Sequence, residues 1–137
     1  MERDDKFLRD FVALTITTMT VVTANDSDTE IKEVQLIRQL AIKLGQDLQT
    51  FDRMVREEFE SQSDLREVAE RVSKENEEYR TEIMKACTAV ALADGVVTRK
   101  EVEFLMALAD AIGIETTQVV MMLLRLVQAE GRVKIED

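Results

Sequence analysis

The chain has 137 residues, 28 acidic against 18 basic side chains, a formal charge of −10, one cysteine and no histidine, proline or tryptophan. Those zeros exclude Ser-His and Cys-His nucleophile pairs, imidazole bases and Cys/His zinc sites, so a bound metal would meet oxygen ligands, which favour calcium, magnesium or manganese. The acidic balance, with bases interspersed among acids, points away from a nucleic-acid partner.

An apolar fraction of 45% is too high for a disordered chain, and the length suits one domain, residues 1–137. The absence of proline and the abundance of Leu, Ala, Glu, Lys, Arg and Met predict an all-α domain of about seven helices. The first runs from about Asp5 to Ala24, with Phe7, Leu8, Phe11, Leu14, Thr18 and Val22 on one face. Its segment Thr15 to Thr23 prefers a strand by local propensity. Helix is expected there because the matching later segment is plainly helical.

The second helix spans about Thr29 to Leu44, and the third about Leu48 to Glu60, with Phe51, Met54, Val55 and Phe59 inward. A narrow stripe of Leu65, Val68, Ala69 and Val72 opens the next. A break is expected between Ser73 and Glu78, where apolar residues lapse. From Arg56 to Glu82 ten acids face five bases, which reads as a solvated face or as a docking surface for a basic partner. Helices then follow at Tyr79 to Asp94, Thr98 to Ile112 and Thr116 to Glu130, with Gly131 closing the last before a charged tail. Cys87 sits among apolar neighbours and reads as a small buried thiol.

The last helix is apolar on nearly all sides. Such a helix is central to the core or has one face against another chain; the central position is expected. The longest apolar run, Val119 to Leu124, falls far short of the ~20 residues that span a bilayer, so no membrane insertion is expected. The acidic start, Met1 to Lys6, does not read as a signal peptide, so a cytoplasmic location is expected.

A shift of 68 residues aligns two halves without a gap. Thr20, Val22, Asp26, Lys32, Glu33, Val34, Leu40, Ala41 and Gly45 fall on Thr88, Val90, Asp94, Lys100, Glu101, Val102, Leu108, Ala109 and Gly113. Two units, about 5–60 and 79–130, imply a pseudo-two-fold pair of helical hairpins around one core. The repeated acids Asp26 and Asp94 end the first helix of each unit. Glu33 and Glu101 follow seven residues later, expected in the first turn of the next helix.

Two readings of these acids stand side by side. Thr98 and Glu101 have the spacing of a capping box, and negative charge suits a helix N-terminus. Alternatively, Asp26, Asp28, Glu33, Asp94 and Glu101 together offer oxygen ligands to a divalent cation, calcium or magnesium. The loops are not EF-hands: counted from Asp26, position six is Ile31 and position twelve is Ile37.

At Ala91-Leu92-Ala93-Asp94-Gly95-Val96-Val97-Thr98-Arg99-Lys100-Glu101 the sequence resembles the TerB-like family, which takes in tellurite-resistance TerB proteins and the N-terminal domain of the DjlA co-chaperone. The likeness continues through Leu105, Leu108, Ala109 and Ile112 to Gly113. It implies a compact all-α fold, a stress-response role without established catalysis, and paired acids proposed to bind metal, falling on Asp26, Glu33, Asp94 and Glu101. Ser27 stands where Asp-Gly would be expected in the first copy. No enzyme is expected. The partners expected are proteins or a second copy of the chain, with a scaffold or homodimerisation domain as the alternative in which the acids only cap helices.

Overall fold

The computed structural model describes residues 2–23, 27–93, 96–130 and 134–136, with side chains over 6–20, 34–93 and 97–129. Seven helices follow in chain order among the described residues: α1 (Glu2–Thr23), α2 (Ser27–Lys43), α3 (Leu48–Glu60), α4 (Leu65–Ser73), α5 (Glu77–Ala91), α6 (Arg99–Ile112) and α7 (Thr116–Glu130). The fold is all-α, as the sequence predicts. The expected break between α4 and α5 is present, and Asn76 caps α5 by accepting the Tyr79 amide at 2.9 Å.

One element was not anticipated. Val96–Thr98 (β1) pairs in parallel with Lys134–Glu136 (β2), so part of the charged tail returns to the entrance of α6. Three-residue strands are too short to register as an alternating pattern.

α1 is the hub. It packs against α2, α3, α4 and α5, and Leu8, Phe11, Leu14 and Met19 are buried along it. Its threonine run is helical because the hydroxyls find partners inside the helix. Thr15 donates to the Phe11 carbonyl at 2.6 Å, Thr17 to Ala13 at 2.7 Å and Thr18 to Leu14 at 2.8 Å. Thr88 does the same on α5, donating to Met84 at 2.8 Å. Back-bonding lets a buried threonine present its methyl to the core without an orphaned hydroxyl, so tertiary packing overrides strand propensity.

α1 and α5 run parallel. Tyr79, near the start of α5, donates to Asp10 on α1 at 2.6 Å and packs its ring edge-on against Phe7 at 5.0 Å. Further along, the Cys87 thiol lies beside the Thr18 hydroxyl. Both contacts join residues 69 apart, so the two helices advance together and end side by side, at Thr23 and Ala91.

Helix order and several helix ends recur at the 68-residue offset. Thr23 matches Ala91, the left-handed Gly45 (φ 74°) matches Gly113 (φ 82°), and the first residue of α3 matches that of α7. The inter-unit packing is less regular: α2 lies on α5, whereas α6 packs chiefly on α4.

α7 departs from its expected central position. Among its described side chains only Val119 is fully buried, while Val120, Met121 and Leu124 are exposed. Helix α1 occupies the centre instead. The acidic stretch from Arg56 to Glu82 is mostly exposed, as a solvated face should be. Glu58 is its buried member, accepting the Ser63 amide at 2.9 Å and the Ser63 hydroxyl at 2.7 Å to close the turn into α4.

Burial also sets the behaviour of two titratable groups. It pushes the Cys87 thiol up to about 12, against an opposing effect of the Thr18 hydroxyl. Burial, and then the Asp10 carboxylate, raise Tyr79 well above the ordinary tyrosine value of 10.0. Below about pH 8 both groups are largely neutral in the folded and unfolded chains. Above that, the unfolded chain ionises first, so stability is expected to fall as pH rises from about 9 to 11. Denaturant midpoints across that range check this, and a flat profile would contradict it. Native Cys87 should react with a thiol reagent only as fast as the chain opens.

Candidate acidic site

The candidate residues fall on the two stretches of chain that follow α1 and α5. In the second unit, α5 ends at Ala91 and α6 begins at Arg99. Thr98 caps α6. Its hydroxyl accepts the Glu101 amide at 3.1 Å, and Glu101 Oε1 accepts the Thr98 amide at 3.1 Å. This is the capping box the spacing predicts, and it is largely buried, with Glu101 only 6% exposed. One Glu101 carboxylate oxygen is therefore committed to the helix start.

The first unit is built differently. α2 begins at Ser27, so Asp28 lies in its first turn but Glu33 lies in its second. Glu33 is thus not the counterpart of Glu101 in a capping box, contrary to expectation. The reason is local: Ser27-Asp28-Thr29 offers good N-terminal residues where the second unit has Gly95-Val96-Val97, so the helix starts earlier.

Asp26 and Asp94 lie outside the described residues, as do the side chains of Asp28 and Glu33. The positions fixed for the group are the helix ends that flank them. Among the described residues, no group of three or more Cys, Asp or Glu is placed to hold a metal ion.

Two buried acids were missed by sequence reasoning, Asp10 and Glu58. Asp10 follows Phe7 by three residues and precedes Leu14 by four, which puts it on the apolar face of α1. An acid on an apolar stripe was the available signal. Asp10 accepts Arg71 Nη2 at 2.6 Å, Arg71 Nε at 3.1 Å and the Tyr79 hydroxyl at 2.6 Å. It joins α1, α4 and α5 and is spent on structure.

The capping box gives a clean pair of variants. Thr98→Ala is expected to cost about 1 kcal/mol. Glu101→Gln should cost less, because glutamine keeps the reciprocal bond. Thermal denaturation of both variants checks the order; a larger loss in Glu101→Gln would contradict it.

No helix among the described residues is long and apolar enough to cross a membrane. No curated protein and no solved structure gives a match to the chain. The family model described as tellurite resistance protein TerB matches residues 12–125, which takes in α2 to α6 whole, part of α1 and of α7, and both acidic junctions. With the all-α fold in place around those junctions, the chain belongs to the TerB family.

Proposed function

We propose that the chain is a non-enzymatic, cytoplasmic binding module of the TerB type, serving a stress response and taking a divalent cation, calcium or magnesium, at its paired acidic segments. The observation that supports this reading is the parallel course of α1 and α5. Because the two helices end side by side, the segments that carry Asp26 and Asp94 both depart from one end of the molecule. In this reading a hard cation with oxygen ligands offsets the mutual repulsion of carboxylates carried on those segments. Asp28, Glu33 and Glu101 belong to the two helices that follow.

The alternative, a scaffold or homodimerisation domain with the acids as caps, is favoured by two observations. The Glu101 carboxylate already caps α6, and α7 exposes Val120, Met121 and Leu124. Calorimetric titration with calcium and with magnesium separates the readings. Wild type should show saturable heat, and Asp94→Asn and Glu101→Gln should weaken binding at least about tenfold, a loss of ~1.4 kcal/mol each. Glu101→Gln is the sharper variant, since it keeps the cap while removing the charge. No saturable heat at millimolar metal would leave the cap-only reading standing.

A further inference from the structure

A groove lies between the end of α2, α5 and α7, and neither Thr98 nor Glu101 lines it. It has a volume of about 430 Å³ and a floor of Leu40, Leu44, Ala86, Ala89, Met122 and Leu126. A second hollow of about 360 Å³ continues it past Thr81 and Met121, and the two share Lys85, Met122 and Arg125. Together they run from Thr81 to Ala89 on α5 and from Thr117 to Leu126 on α7. At 1.5 Å per residue that is roughly 12 to 14 Å. The apolar anchors i, i+3, i+4 and i+7 of a helix span about 10 Å, so the groove has the length of a two-turn helical ligand.

The charge on its rim is opposite to that of the chain. Lys43, Lys85 and Arg125 line it, with Glu82 the one acid. Glu82 is engaged by Lys85 at 3.7 Å. Neither Lys43 nor Arg125 has an ion pair among the described residues. In a chain of net −10, a rim of three cations against one acid over an apolar floor is a local reversal of sign. The adaptable thioethers of Met121 and Met122 suit a partner helix of variable side chains.

We infer that this groove docks an amphipathic helix of a partner protein whose apolar face is bordered by acidic residues. A symmetric second copy fits less well. α7 from Thr116 to Ala129 carries no acid, so its exposed face offers nothing to meet Lys43, Lys85 and Arg125 of another copy. The inference stands apart from the cation reading, because it uses other residues and its test contains no metal.

The probe is a fluorescein-labelled helical peptide of about 16 residues with leucine at the anchor positions and glutamate on the flanks. A second peptide carries lysine in place of glutamate. Fluorescence polarisation should show the glutamate peptide binding at least about tenfold more tightly. The double variant Lys85→Glu with Arg125→Glu changes two exposed side chains and should reverse that order. Ala89→Leu, which fills the floor, should weaken both peptides. Equal binding of the two peptides, or an unchanged order in the double variant, would overturn the proposal. So would sedimentation showing a dimer of the wild type that the double variant dissolves, which would assign the groove to a second copy.

Discussion

Asp10→Ala is expected to destabilise the fold by about 3 kcal/mol, the larger part of it from leaving the buried Tyr79 hydroxyl unpaired. The Asp10 side chain is 1% exposed and accepts from both Arg71 and Tyr79. Its removal strands the Tyr79 hydroxyl in the interior, at about 1–3 kcal/mol. It also releases a guanidinium that is 43% exposed and can turn towards water, so that side of the loss is discounted. Tyr79→Phe should cost only about 1 kcal/mol, since it removes one donor and leaves Asp10 with Arg71. Asp10→Asn should fall between, because an amide oxygen still accepts from Tyr79. Urea denaturation gives all three. If Asp10→Ala costs less than Tyr79→Phe, the carboxylate is not the node that joins α1, α4 and α5.

The second large effect is Phe11→Ala, expected to cost about 3–5 kcal/mol. Phe11 is fully buried in α1, and its ring stacks on Phe7 at 6.0 Å. Truncation opens a cavity at the helix on which α2 to α5 all lean. Phe59→Ala is the control, because Phe59 is 45% exposed on α3 and the same chemical change should cost about 1 kcal/mol or less. A domain of this size holds some 5–15 kcal/mol in total, so Phe11→Ala alone should remove about a fifth of it or more. Equal losses from the two variants would contradict the placement of α1 at the centre.

The helices were legible in the sequence because their signals are local. Glycines mark the ends of α2 and α6, and Thr98 with Glu101 announces the start of α6. Apolar residues recur at three and four through α3, α4 and α6. The threonines of α1 were harder, since strand propensity and helical context disagree there. The repeat decided in favour of helix, and the back-bonded hydroxyls show why that works.

Three features were hidden, each because it depends on distant residues. Asp10 needs Arg71 and Tyr79, more than 60 positions away, before its place in the core makes sense. The β1–β2 pair joins segments separated by a whole helical hairpin. The peripheral position of α7 follows from α1 filling the centre, and an all-round apolar helix cannot reveal which of its faces is covered. Of the candidate site, the capping role of Glu101 was readable from spacing alone. The later turn occupied by Glu33 was not, because the repeat suggested a helix start that Ser27 pre-empts. The parallel course of α1 and α5, on which the cation reading leans, required the contacts of Asp10 and Thr18.

That reading is tested most directly by titrating manganese, a paramagnetic stand-in for calcium or magnesium, into 15N-labelled protein while amide spectra are recorded. A cation held between the paired acidic segments predicts simultaneous broadening at both junctions, in residues 21–33 and 91–101, saturating at one equivalent and reversed by excess magnesium or calcium. Broadening at one junction alone, scattered broadening over the exposed acids of α3 and α4, or none at millimolar metal would contradict it.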